Sequence, residues 1–361
     1  MSKFHKVNIQ EIKRETPEAV SVAFDVPDDL KSDFHYVAGQ YVNVKLHLNG
    51  EEIIRSYSLS SCLDTDEEWR IAVKLLEGGK ASGHFNSNAR VGDEIELSAP
   101  EGKFVVENLG SEAREHVFFA AGSGITPVRS MIKSILQSEP QSRCVLFYGN
   151  RDEENVIFKE ELEALAEREG ERFSMYYTFS RMNGAAQKYG DHAEGRIDRD
   201  KAMLFLKSYV GLETHPVFYM CGPAGMMSAV EGALETLRVD RDSIKKEYFE
   251  TPVEQKPGGK EESDVSAKPV HSKATIILDD EEFEVEVEPG VTVLDACANN
   301  DIDAPYSCRG GVCSTCMAKV EEGKASMRLN YVLTDDEVEE GYILTCQSEP
   351  LTPTIKVDYD A

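Results

Sequence analysis

Residues 308–316 read CRGGVCSTC, with thiols at Cys308, Cys313 and Cys316 and two glycines between the first pair. A fourth thiol, Cys346 in LTCQSEP, follows Cys316 after 29 intervening residues. Structural zinc sites bring two close pairs of cysteines, whereas C-x4-C-x2-C with one distant cysteine is the plant-type [2Fe–2S] spacing. Gly310 and Gly311 let the backbone wrap closely and turn amides toward sulfur, which side chains there would hinder. The spacing therefore points to a cluster held by Cys308, Cys313, Cys316 and Cys346; zinc and four unrelated core cysteines are the alternatives. Such a centre carries one electron and catalyses nothing alone, so the rest of the chain must supply and receive electrons.

Upstream, PVEQKPGGKEESDVSAKPVHS (252–272) has almost no apolar residue and reads as a flexible linker. After it, ATIILDDEEFEVEVEPG predicts a hairpin and VTVLDACANN a short helix leading into the cysteine loop. Before the linker, HVFFAAG, RCVLFYGN, FSMYYTFS and PVFYMCG alternate with helical stretches such as EENVIFKEELEALAERE and PAGMMSAVEGALETL, the rhythm of a parallel sheet flanked by helices. The first 110 residues contain AVSVAFDV, YVNVKLHL and WRIAVKLL, short strands alternating apolar and polar, which suggest a small antiparallel barrel. The expected fold is multidomain: an antiparallel β-barrel over 1–110, an α/β parallel-sheet domain over 111–250, a linker over 251–272 and a β-grasp α+β domain over 273–361.

The whole chain of 361 residues carries 39 Lys and Arg against 66 Asp and Glu, a formal charge of −27, which argues against nucleic acid as a partner. The polar N-terminus and the lack of any long apolar run predict a cytoplasmic protein with no membrane span. In a reducing compartment, clustered cysteines bind metal or do chemistry more often than they form disulfides.

Five further stretches carry chemistry. In IIRSYSLSS, Arg55, Ser56, Tyr57 and Ser58 set a cation, an aromatic and hydroxyls in a row. Taken alone, they read equally as a surface charge, a core ring and turn residues. LLEGGKASGHF places Gly78 and Gly79 before a helix expected to start near Ser82, an arrangement whose unpaired amides can bind a phosphate. FFAAGSGITPVRSMI runs from a strand through Gly122, Ser123 and Gly124 into a helix with Pro127 in its first turn, where a full G-x-G-x-x-G would have glycine. YMCGPAGMM ends a strand with Cys221, Gly222 and Pro223, where a ligand crevice is expected, although Cys221 also reads as a small buried thiol. Finally, TFSRMNGAAQKYG offers Ser180, Arg181, Lys188 and Tyr189 at a strand end, suited to a phosphate or simply to a solvated loop.

RSYS, GGKAS, GSGITP and CGP, followed by a C-terminal plant-type cysteine loop, together resemble the ferredoxin-NADP reductase superfamily fused to a ferredoxin domain. The resemblance covers essentially the whole chain. The most similar branch is that of the reductase subunits of phenylacetyl-CoA epoxidases, with phthalate-type dioxygenase reductases and ketosteroid hydroxylase reductases as relatives; benzoate-type reductases differ in placing the ferredoxin domain first. The resemblance implies that Arg55 pairs with a flavin phosphate, Tyr57 lies against the isoalloxazine, and Ser58 bonds near its reactive nitrogen. It implies that Gly79, Lys80, Ala81 and Ser82 hold the flavin pyrophosphate. Gly122 to Thr126 would meet the nicotinamide nucleotide, Thr126 also approaching the flavin, with Cys221 beside the nicotinamide. EYFE near Phe249 and Glu250 would cover the flavin ring. Ser180, Arg181, Lys188 and Tyr189 would receive the 2′-phosphate of NADPH in preference to NADH, and FAD is expected in preference to FMN.

Nicotinamide surrenders two electrons together while a [2Fe–2S] cluster accepts one at a time; a flavin bridges the mismatch. The implied path runs from NADPH through FAD and the cluster to a separate oxygenase, the di-iron phenylacetyl-CoA epoxidase first, another oxygenase, desaturase or ketosteroid hydroxylase second. The eight histidines are scattered without the Glu-x-x-His pair of di-iron bundles, so terminal oxidation is assigned to another polypeptide. A redox-sensing binding protein is the alternative of another class.

Overall fold

The computed structural model describes residues 4–107, 109–110, 113–181, 186–249 and 269–361. The chain divides into two compact units, one spanning Phe4–Phe249 and one whose described residues are 269–361. Of the segment read as a linker, 251–268 lies outside the described residues, as does Glu250.

In the first unit, β1 (Phe4–Thr16), β2 (Ala19–Asp25), β3 (Tyr41–Leu48), β4 (Glu51–Ser58), β5 (Trp69–Lys74), helix α1 (Lys80–Ser87) and β6 (Glu94–Ser98) follow in sequence. The strands pair antiparallel in the order β4-β3-β6-β1-β2-β5, and a bridge between Leu59 and Ile71 joins the two edges, closing the barrel. Between β3 and β4 the turn is Asn49-Gly50, both with positive φ (55° and 80°), the two-residue hairpin that the native strand twist favours. Alternating residues Val22, Phe24, Val42, Val44 and Val73 fill the barrel, and α1 adds the buried Phe85. The helix begins at Lys80, two residues ahead of the expected start, because Gly79 in an extended conformation serves as its N-cap.

The same unit continues through β7 (Glu115–Ala121), α2 (Ile125–Ser138), β8 (Arg143–Asn150), α3 (Lys159–Glu169), β9 (Phe173–Phe179), α4 (Ala186–Tyr189), α5 (Arg199–Tyr209), β10 (Val217–Cys221), α6 (Ala224–Thr236) and β11 (Ile244–Glu247). All five strands are parallel in the order β11-β10-β7-β8-β9, with apolar clusters on both faces. The order reverses at β7, whose neighbours β8 and β10 lead away in opposite directions, so the crevice of such a sheet opens between the ends of β7 and β10. The stretch EENVIFKEE does not form one helix. Asp152 caps a short 3-10 turn over Glu153–Asn155, and Val156, Ile157 and Phe158 are buried, Phe158 with φ 59°, before α3 starts at Lys159. Periodicity could not foresee that the apolar triplet turns into the core.

Helix α2 joins the two layers of this unit. Arg129, 5% exposed, donates to Ser60 O and to Glu161 Oε1, lies 3.9 Å from Asp66 and stacks over the Phe158 ring at 4.7 Å. Ser130 donates to Ser61 O, Ser134 donates to Asp64 at 3.0 Å, and Lys133 pairs with Asp66.

The second unit has β12 (Ser272–Leu278), β13 (Glu281–Val287), α7 (Val293–Asn299), β14 (Met317–Glu322), β15 (Ala325–Met327), α8 (Asp335–Glu339), β16 (Tyr342–Leu344), β17 (Ser348–Pro350) and β18 (Thr354–Asp358). The main sheet runs β13-β12-β18-β14-β16, with β12 and β18 parallel, and β15 pairs with β17. The β12–β13 turn, Asp279-Asp280, has positive φ at both residues, and their amides donate to the Asp360 carboxylate at 3.0 and 2.8 Å. Thr292 caps α7, whose Val293, Leu294 and Cys297 join the core. The folded part begins slightly earlier than expected, since β12 includes Ser272.

Candidate redox sites

The crevice predicted by the strand order gathers residues from distant parts of the sequence. Cys221 ends β10 fully buried, and the parallel register sets it opposite Glu247, the last residue of β11. Ser58, at the end of β4, is buried and donates to Glu247 Oε2 at 3.2 Å. Burial pushes the Glu247 carboxyl up to about 8, the Ser58 hydrogen bond only partly opposing it. Burial likewise pushes the Cys221 thiol well above its ordinary range, and the neighbouring Glu247 adds to the effect. Cys221 is therefore a neutral, compact contact surface at working pH, not a thiolate nucleophile.

The glycine loop closes against this pair. A Cβ on Gly124 would stand 2.0 Å from Cys221 O, and one on Gly222 would stand 2.6 Å from Met226 Cε. At Gly124 the blocking atom is backbone, so only glycine lets the two loops touch so closely there, whereas at Gly222 it is the flexible end of Met226. Gly122 has φ 54°, Thr126 is buried and donates to Ser123 O at 2.9 Å, and Pro223 in an extended conformation caps α6.

Around the end of β4, Ser56 donates to Asn43 Oδ1 at 2.7 Å, and Arg55, exposed, donates to Ile54 O at 2.7 Å. Tyr57 is half-buried and meets Phe85 of α1 edge-on, centroids 5.8 Å apart. Burial raises its phenol above the ordinary range, keeping the ring neutral. The start of α1, at Lys80, Ala81 and Ser82, receives no side-chain cap, and a Cβ on Gly79 would stand 2.4 Å from Ser82 Oγ. Lys80 pairs with Glu51. A helix start with no side-chain cap, a neutral aromatic and an exposed guanidinium within one barrel edge fit a flavin with its phosphate.

Ser180 and Arg181 follow β9, their amides donating to Asn150 O at 3.0 Å and Arg151 O at 2.7 Å, with the Arg181 side chain exposed. Tyr189 packs edge-on against Phe179 at 5.1 Å, which sets α4 on the end of β9. Lys188 and Tyr189 meet at Glu153: the phenol donates to Oε1 at 2.5 Å and the ammonium lies at 3.1 Å. Tyr189, first among the causes, and Lys188 hold the Glu153 carboxyl down to about 2.

In the second unit Cys313, Cys316 and Cys346 are buried and Cys308 half-buried, and none is in a disulfide. Cys308 and Cys313 Sγ lie 3.1 Å apart; thiol hydrogen bonds from Cys313 and then Cys346 push Cys308 down, and Cys316 is likewise bonded by Cys346. The Gly310 amide donates to Cys308 Sγ at 3.4 Å and Gln347 Nε2 to Cys346 Sγ at 3.6 Å. Arg309 and Gly311 have positive φ, and a Cβ on Gly311 would meet Leu329 O at 3.0 Å. Among the described residues no group of three or more His, Cys, Asp or Glu side chains is arranged around a single metal ion. Four converging thiols with amides aimed at two of them fit a cluster better than one ion.

Two residues were not named by the sequence reading. Glu247 heads the EYFE stretch singled out around Phe249 and Glu250, and Glu153 sits in RDEEN; strand register and the start of α3 single them out.

Residues 6–106 match the oxidoreductase FAD-binding domain family, 118–232 the oxidoreductase NAD-binding domain family and 276–351 the 2Fe-2S iron-sulfur cluster binding domain family. The chain is 34% identical to one of the subunits of 1,2-phenylacetyl-CoA epoxidase from Escherichia coli strain K12, over 100% of this chain and 99% of that protein. It is 32% identical to the ferredoxin reductase component of 3-ketosteroid-9-alpha-monooxygenase from Rhodococcus rhodochrous, over 98% and 96%. Among solved structures, phthalate dioxygenase reductase shares the fold with TM-score 0.58 at 22% identity, covering 98% of each chain. An intact type IV self-sufficient cytochrome P450 monooxygenase shares it with TM-score 0.70 at 21% identity, over 98% of this chain and 41% of that one.

Fold and site thus define an electron-transfer oxidoreductase that handles a nicotinamide nucleotide, a flavin and a [2Fe–2S] cluster. The chain belongs to the family of iron–sulfur flavoprotein reductases that serve oxygenase systems. Among the described residues no helix is long and apolar enough to cross a membrane.

Proposed function

We propose that this chain takes electrons from NADPH, through FAD and the [2Fe–2S] centre, to a separate di-iron phenylacetyl-CoA epoxidase in the cytoplasm. The observation that carries the choice of partner is the end-to-end match with the Escherichia coli 1,2-phenylacetyl-CoA epoxidase protein. A 3-ketosteroid monooxygenase is the second reading, favoured by the match at 32% identity. The functional regions are 1–110 for the flavin, 111–250 for the nucleotide, 251–272 as tether and 273–361 for the cluster.

When bound, the flavin accepts a hydride and returns single electrons. The chain's residues position and insulate. Arg55 and the start of α1, with Gly79, Lys80, Ala81 and Ser82, take the flavin phosphates; Ser56 braces the strand through Asn43 and Tyr57 offers its neutral ring. Gly122, Ser123, Gly124 and Thr126 with Cys221, Gly222 and Pro223 seat the nicotinamide half. The Ser58 hydroxyl, tied to Glu247, holds a proton beside the crevice. Ser180, Arg181, Lys188 and Tyr189 take the 2′-phosphate, and Cys308, Cys313, Cys316 and Cys346 ligate the cluster.

An anaerobic titration with NADPH and, separately, NADH tests this, followed by visible absorbance and low-temperature EPR. Flavin bleaching with a reduced [2Fe–2S] signal is expected at lower NADPH than NADH. No bleaching with either overturns the reading, and slow turnover with cytochrome c would favour the redox-sensing alternative. Product formation with the purified epoxidase, and none with a ketosteroid oxygenase, decides the partner.

A further inference from the structure

Glu153 Oε1 is the meeting point of three donors. Tyr189 Oη lies at 2.5 Å, Lys188 Nζ at 3.1 Å and Lys159 Nζ at 3.3 Å. They come from α4 and from the first residue of α3, so two separate elements converge on one carboxylate oxygen. Two ammonium groups and a phenol around one point form the donor set of a phosphate. A phosphate monoester carries about −1.5 to −2 at neutral pH, more than the single charge of Glu153, and brings three acceptor oxygens. Glu153 lines a cleft of about 220 Å³ that holds Lys13, Arg14 and Lys159 together with Glu15, Glu154, Glu160 and Glu161, so a displaced carboxylate has room there beside the cations on its wall.

We propose that Glu153 is an internal occupant of the subsite for the nucleotide's 2′-phosphate, and that Lys159 is a further cation of that subsite. This rests on the reading that Lys188 and Tyr189 receive the 2′-phosphate. Glu153 then acts as a specificity-determining residue. A nucleotide with a 2′-phosphate must displace it, which lowers the affinity for NADPH, while a nucleotide with a plain ribose leaves the cluster closed. The competition persists across working pH, since the hydrogen bond from Tyr189 keeps Glu153 ionised down to about pH 2.

The test is isothermal titration calorimetry of the full-length holoprotein with two probes, 2′,5′-ADP and 5′-AMP. For Glu153→Gln, which keeps an acceptor and removes the charge, the affinity ratio of 2′,5′-ADP over 5′-AMP is expected to rise roughly fivefold. For Lys159→Ala the same ratio is expected to fall by about as much. A preference for 2′,5′-ADP that appears only in Glu153→Gln supports the proposal equally. If the wild type prefers 2′,5′-ADP and neither variant changes the ratio, the proposal fails while the NADPH reading stands. If no form of the protein distinguishes the probes, both fail. Weaker 5′-AMP binding by Glu153→Gln without a gain for 2′,5′-ADP would make Glu153 a ribose acceptor and overturn its role as competitor.

Discussion

In the ferredoxin unit four cysteines adjoin because one loop, Cys308 to Cys316, doubles back through residues with positive φ and meets Cys346. In the reductase unit one cysteine, Cys221, lies opposite Glu247, which Ser58 bonds, only because β4, β10 and β11 end at one crevice. The first arrangement is mostly local in sequence, whereas in the second Ser58 and Glu247 are 189 residues apart. A local site stands or falls with its donors. An assembled site stands or falls with the register and close approach of the elements that carry it.

Replacing one donor is the sharpest way to break the contrast. Cys313→Ser is expected to abolish the cluster's iron content and visible absorption while NADPH-to-ferricyanide activity persists. Loss of both would show that the two sites are not separable. Next comes Gly124→Ala, whose methyl would press into the Cys221 backbone. We expect about 3 kcal/mol of destabilisation, roughly 10 °C in melting temperature for a unit of this size, with cluster EPR unchanged. Scanning calorimetry would read it, and a wild-type melting temperature would mean that the loops have slack. Cys221→Ala should slow flavin reduction in stopped flow by about tenfold, the cost of a lost contact that positions the reactants, with flavin content retained. An unchanged rate would leave Cys221 as packing alone.

The smallest effect sharpens the assembled side. The folded Glu247 carboxyl holds its proton up to about pH 8, whereas a carboxyl with the ordinary value of 4.5 has already lost it. Between these values the folded state binds the extra proton, so this group's contribution to stability is full at low pH and falls as pH rises through that window. Glu247 is partly exposed, which limits the size of the effect. Glu247→Gln should flatten the decline in melting temperature between pH 5 and 8, and an identical slope would refute the shifted titration.

The contrast also explains what could be read from residues alone. CRGGVCSTC is dense in cysteine and glycine because its work is done within nine residues, and it is legible for that reason. The parallel strands were equally legible, their signals being short apolar runs. Glu247 was not, since its pairing with Cys221 follows from the register of β10 and β11, which no spacing encodes. Glu153 was hidden behind a helical pattern that breaks at Phe158, where burial of an apolar triplet overrides periodicity. Gly79 stood in a motif that was noticed, yet the helix start moved to Lys80 because an extended glycine caps it.

Arg129 reaches from α2 to Ser60 of the barrel edge and Glu161 of α3, with hardly any water around it. If either layer loosened alone, a guanidinium would be left buried without its partners, a situation that costs about 3–5 kcal/mol. Half-melted forms are thereby disfavoured, so the barrel and the nucleotide layer are expected to give a single heat-absorption peak in which neither has a melting temperature of its own.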